Sequence, residues 1–131
     1  MASNTEALRD GYQAYSRGDI EAATENWQDD IQWENPNAPQ LPSPGVHRGK
    51  DAVVRILNEI PEYWDDFRVS ADEFIDGGDT VVALGHIEAR GKQSGKDVKA
   101  PFVHVWRFSD GKVARIQVLT DTALVADGLG G

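Results

Sequence analysis

Apolar side chains recur at every second position over most of the stretch from Asp65 to Thr120. That period belongs to extended strands, whose side chains alternate between two faces, and it argues against helix in this half. Phe67 to Ile75 reads as one strand, Asp76-Gly77-Gly78-Asp79 as a hairpin turn and Thr80 to Arg90 as the returning strand. Gly91 to Lys96 is a polar loop. Val98, Ala100, Phe102, His104, Trp106 and Phe108 then share one face of a third strand; Ser109-Asp110-Gly111 turns the chain, and Val113 to Thr120 brings it back. Strands joined by connections this short run antiparallel.

The first half follows a helical period. Ser3-Asn4-Thr5-Glu6 has the form of a capping box, Leu8, Tyr12 and Tyr15 follow at helical spacing, and Gly18 is a stop. Asp19 caps a second short helix with Ile20, Ala23 and Trp27 on one face. Asp30 to Glu34 alternates as a short strand. Asn35 to Gly49, with Pro36, Pro39, Pro42 and Pro44, reads as a loop. At about 15 residues it is longer than most loops in a compact domain, which suits a functional or mobile segment. Ala52, Val53, Ile56, Leu57 and Ile60 mark an amphipathic helix, and Pro61 disfavours helical geometry at Ile60. Asp121 caps a last short helix over Thr122 to Ala126, and Gly128 to Gly131 reads as a frayed end. The expectation is an α+β fold, N-terminal helices on a curved, mainly antiparallel sheet, in one domain spanning 1–131. A curved sheet closed by helices forms a cone, and its open end is a natural small-molecule pocket.

Composition removes several classes of function. With 22 acidic against 13 basic residues the net charge is −9. That sign repels phosphate backbones and anionic bilayers, so neither nucleic acid nor membrane is expected as a partner. Cys is absent, which excludes disulfides, thiolate nucleophiles and Cys-ligated zinc. Three His with no close pair give no metal-ligand spacing, so no metal is expected. Gly91 to Lys96 lies between strands and does not open a helix, unlike a phosphate loop. No run approaches the roughly 20 apolar residues of a membrane span, and Met1 to Tyr15 has no signal-like apolar core, so a cytoplasmic protein is expected.

Short motifs punctuate this plan. Arg17-Gly18-Asp19-Ile20 closes the first helix, Asp29-Asp30 and Trp33-Glu34-Asn35-Pro36 bracket the early strand, and His47-Arg48-Gly49 precedes the third helix. Gly78-Asp79 sits at the hairpin, Phe102-Val103-His104-Val105-Trp106-Arg107-Phe108 fills a long strand, Asp110-Gly111-Lys112 turns the chain, and Asp121-Thr122-Ala123 opens the last helix. In this order, over nearly the whole chain, they resemble the NTF2-like superfamily and within it the SnoaL-like, ketosteroid-isomerase-related proteins. The ordered set is more specific for fold than for activity. The resemblance implies a conical α+β barrel with a deep cavity, a homodimer built on the sheet, and no cofactor. It implies acid–base chemistry of isomerase, cyclase or hydrolase type on a small apolar carbonyl or polyketide-like molecule. The competing implication is a non-catalytic ligand-binding or dimerisation module, since many members only bind.

His104 shares its strand face with Phe102, Trp106 and Phe108. If that face lines the cavity, burial lowers the imidazole pKa and keeps it neutral, fit to act as base or hydrogen-bond donor; otherwise it is a core His with one hydrogen bond. In ketosteroid isomerases the matching position resembles the acidic oxyanion-hole residue. Asp121 is a helix N-cap by sequence; by resemblance to SnoaL-like cyclases and limonene-epoxide-hydrolase-like enzymes it is an acid or base that exchanges a proton with His104. His86 and Glu88 share one strand face, either turned to the cavity to polarise or orient, or to solvent. They stand where the epoxide hydrolases carry Arg-x-Asp, and without that guanidinium epoxide hydrolysis is less expected. Asn35 matches the isomerases' catalytic Asp and cannot take a proton, and Tyr12 and Tyr15 fall out of phase with their first-helix Tyr. Trp33, Tyr15, Tyr63, Trp64, Phe102 and Trp106 are candidate pocket walls; such aromatics also serve as plain core. On the opposite face, Val103 and Val105, joined by Val113 and Leu119, form the expected dimer patch.

Overall fold

The structure is a computed structural model that describes residues 3–130. Along the chain run α1 (Asn4–Ser16), α2 (Ile20–Thr24), β1 (Trp27–Asn35), β2 (Gly45–Arg48), α3 (Lys50–Tyr63), β3 (Trp64–Asp76), β4 (Thr80–Gly91), β5 (Asp97–Ser109), β6 (Lys112–Thr120) and α4 (Thr122–Leu129). The strands make one unclosed sheet in the order β2-β1-β6-β5-β4-β3. β1 runs parallel to β6, and the other neighbouring pairs are antiparallel.

The three side-chain caps read from the sequence form. Ser3 Oγ accepts from the Glu6 amide, an Asp19 carboxylate oxygen from Ala22 and an Asp121 carboxylate oxygen from Leu124, at 3.1, 3.0 and 3.1 Å. Each satisfies one amide that a helix start leaves without an intrahelical partner.

Several boundaries differ from the sequence reading, among them the start of β3, at Trp64 rather than Phe67. The proline-rich segment is not wholly loop: Gly45–Arg48 pairs with β1 as an edge strand, and its prolines precede it. β1 begins at Trp27 rather than Asp30. Pro61 does not end α3, which runs on to Tyr63. The ring costs that turn one backbone donor. The turn is closed by its own cap, the Trp64 amide donating to the Ile60 carbonyl, and held from outside by the Lys92 amide, which donates to the Tyr63 carbonyl at 3.0 Å. Finally, α4 extends through Leu129, with Gly130 as a left-handed cap, while Gly131 lies outside the described residues.

Bulges curve the sheet. Register shifts fall between Asp65 and Arg68, and between Ala71 and Glu73, in the β3–β4 ladder. An extra residue bends its strand and adds twist. Gly85 faces the second of these bends, where a Cβ would overlap the Ser70 carbonyl and press on Phe102. Another shift separates the Arg107–Arg115 pair from Phe108–Val113. It turns Val113 inward to full burial, so Val113 does not belong to the outer patch expected from simple alternation.

The concave face carries the core. Ile31, Val81, Ala83, Phe102, Trp106, Phe108 and Ile116 pack there with Leu8, Val53 and Leu57 from the helices. A second cluster gathers Trp64, Ala89, Val98, Ala100 and Val125 where α4 crosses the sheet. The convex face is left partly open at Val82, Leu84, Val103 and Val105. Among the described residues, no helix is long and apolar enough to cross a membrane.

Candidate functional site

Between the helices and the concave face lies a cavity of about 1010 Å³. That is at the upper end of the roughly 300–1,000 Å³ usual for small-molecule sites. Its wall is mainly aromatic and aliphatic, so the few polar atoms on it decide what it recognises.

Three of those atoms form a chain. β5 brings His104 and Trp106 to the concave face because they are two residues apart, and α1 brings Tyr12 against them. Trp106 Nε1–H donates to the Tyr12 hydroxyl oxygen at 2.9 Å, and that hydroxyl lies 2.6 Å from His104 Nδ1. The indole can only donate. With no other acceptor for the phenolic proton among the described residues, Tyr12 O–H donates to Nδ1. Hydrogen-bond accounting therefore assigns the proton of the neutral imidazole to Nε2. Phe102 stacks on His104 with centroids 3.9 Å apart and planes at 18°. Burial lowers the His104 pKa to about 3, so the ring stays neutral at any ordinary pH. Burial also pushes the Tyr12 phenol far up, only partly offset by the Trp106 hydrogen bond, so it too remains protonated.

A second polar group ties the loop after β1 to the sheet. Trp33 Nε1–H donates to Asn35 Oδ1 at 2.7 Å, and Asn35 Nδ2 donates to the Ser43 carbonyl at 2.8 Å. His47 Nε2 donates to the same carbonyl at 3.0 Å. Pro36, Leu41, Pro42 and Ser43 from this loop line the cavity.

The expected wall forms: Trp33, Tyr15, Tyr63, Trp64, Phe102 and Trp106 all line the cavity with His104. The other three candidates do not join them. His86 and Glu88 alternate out of phase with the wall residue Ile87 and sit on the convex face. There His86 Nδ1 lies 2.9 Å from Asp72 and Nε2 lies 3.6 Å from Glu88. Asp121 is exposed and off the wall, its carboxylate occupied in capping α4. A proton-exchanging pair of His104 and Asp121 is therefore not supported. His104 has Tyr12 as its partner instead. Tyr12 was the residue missed, although Leu8, Tyr12 and Tyr15 already marked the buried face of α1. Spacing along the helix gives that face but not the strand position it meets. Glu34 is taken up by Arg115 at 2.8 Å. Among the described residues, no three His, Asp or Glu side chains are grouped to hold a metal ion.

A curved sheet closed by N-terminal helices over an aromatic cavity defines the NTF2-like class of α+β cone. The SnoaL-like domain family matches residues 8–116, and the chain belongs to it. Solved structures agree. An NTF2-like protein from Burkholderia thailandensis is 30% identical over 98% of each chain, with a TM-score of 0.91. One of unknown function from Burkholderia pseudomallei is 27% identical over 100% of each chain, also at 0.91. TerC, crystallised with polyporic acid, is 27% identical over 99% of this chain and 100% of its own, at 0.89. No curated protein matches the sequence.

Proposed function

We propose that the chain takes a small, largely apolar carbonyl compound into its cavity and polarises the carbonyl oxygen, in support of cofactor-independent isomerase- or cyclase-type acid–base chemistry. The observation that carries this is the Trp106–Tyr12–His104 chain, which leaves Nε2–H as a donor among aromatic and aliphatic neighbours. A neutral imidazole donates without bringing a charge into the cavity. In an apolar surrounding, one aimed hydrogen bond to an oxygen that gains negative charge stabilises enolate formation more than it would in water. The crystallisation of TerC with polyporic acid supports a small-molecule ligand here as well.

Enolisation also needs a group to take the proton from carbon. Of the carboxylates on the wall, Asp10 and Glu25 are exposed, and Glu59 on α3 is half-buried. We assign that role to Glu59. A binding-only role is favoured by one observation: the titratable pair inside the cavity, Tyr12 and His104, stays neutral. Hydrogen–deuterium exchange at the α-carbon of α-tetralone, followed by NMR, separates the two. Acceleration by the protein, lost by about 10²-fold or more in Glu59→Gln with binding retained, is the expected result. Binding with no acceleration leaves a carrier and defeats the catalytic reading.

The convex face supports a homodimer. Val82, Leu84, Val103 and Val105 are partly open there, and Leu119 is 52% exposed. Pairing this face with its own copy about a two-fold axis covers those side chains. An acidic chain without Cys suits a cytoplasmic protein acting on a diffusible molecule.

A further inference from the structure

The cavity wall holds a phenol that the carbonyl-polarising chain does not use. Tyr15 stands one turn beyond Tyr12 on α1, a spacing that puts Cβ atoms about 5–6 Å apart on one helix face. It lines the cavity, and its hydroxyl has no hydrogen-bond partner among the described residues. Nor is that oxygen sealed off in the way that the unpartnered Thr5 Oγ1 is. Burial alone pushes its pKa up to about 12, so the phenol keeps its proton and can donate. A phenol on the cavity wall without a protein partner has its hydrogen bond left to make with whatever fills the cavity.

We propose that Tyr15 is a specificity-determining donor, and that the ligand carries two oxygens on one flat skeleton, one received by His104 Nε2–H and the other by Tyr15 O–H. Dicarbonyl compounds and quinones are the class this describes. The inference rests on the carbonyl reading of His104 and narrows it. The apolar wall binds the skeleton with little regard to its oxygens, whereas two separate donors favour a molecule that satisfies both. A molecule with one oxygen leaves one donor unpaired, which a desolvated site discriminates against.

Calorimetric titration with naphthalene, α-tetralone and α-naphthoquinone tests it, since these two-ring probes carry no, one and two oxygens. The chain has no Cys to form thiol adducts with the quinone. Tyr15→Phe removes only an oxygen that bonds nothing in the fold, so its melting temperature is expected to hold. The wild-type preference for quinone over ketone is expected to fall about 3–10-fold in Tyr15→Phe, with ketone affinity within about twofold of wild type. His104→Phe is expected to weaken ketone and quinone relative to naphthalene. If the quinone keeps its full advantage in Tyr15→Phe while the ketone still responds to His104→Phe, the Tyr15 inference alone falls. If the ketone binds no better than naphthalene and ignores His104→Phe, the carbonyl reading falls and takes this inference with it. Failure of all three probes to bind overturns both.

Discussion

His104 shows how one burial changes what a residue can do. An exposed imidazole near its ordinary 6.5 exchanges protons around neutrality, whereas this one is held down to about 3 by desolvation. Its one hydrogen-bond partner among the described residues is a phenol that also stays protonated, so the pair hands a hydrogen bond along without handing over a charge. The same shift makes stability depend on pH. Between about 3 and 6.5 the unfolded chain binds a proton at this site that the folded chain refuses. The contribution is therefore complete above the unfolded value and is lost as pH falls toward the folded one. Carboxylates titrate over part of this range, but they are common to wild type and variant. The stability advantage of wild type over His104→Phe is expected to shrink by about 2–3 kcal/mol from about pH 7 to about pH 4. Paired urea melts at the two pH values measure it, and an unchanged difference would mean that His104 is not held neutral.

At the scale of elements, α4 separates a structural role from a chemical one. Asp121 caps it, and the helix then packs so closely that Gly128 lies against Val98 and Trp64, with no room for a Cβ. Asp121→Ala is expected to cost about 1 kcal/mol, while Asp121→Asn, which still caps, costs a few tenths. Neither should alter binding of α-tetralone, because the carboxylate is off the cavity wall. Thermal melts with parallel titrations check this, and weaker ketone binding by the fully stable Asn variant would return Asp121 to the site. α3 and β2 carry a related lesson. Pro61 is a valid local signal against helix, yet hydrogen bonds from Trp64 and Lys92 hold the last turn through it. β2 has four residues with little alternation of their own, and it exists because β1 offers an edge to pair with.

For the whole molecule, the sheet has two differently dressed faces, and the expected assembly follows from the outer one. Sedimentation at micromolar concentration is expected to give twice the 14.4 kDa chain mass, and Val103→Glu to halve it by burying charge in the interface. A wild-type monomer would defeat the dimer. Apart from β2, the order of helices and strands was legible in the sequence, as were the side-chain caps and the aromatic row of β5, because each depends on near neighbours, turn chemistry or a period of two. Alternation also put His104 and Trp106 on one face with no knowledge of what faced them. Besides β2, three side-chain placements were decided only by the tertiary structure. Tyr12 meets His104 across 92 positions of chain, a separation that no local spacing encodes. His86 and Glu88 turn outward because their phase is fixed by which face of β4 the helices cover. Val113 turns inward because one extra residue in β6 reverses the alternation. Period and capping are local and can be read from the chain; which face becomes the inside is set by packing between distant segments.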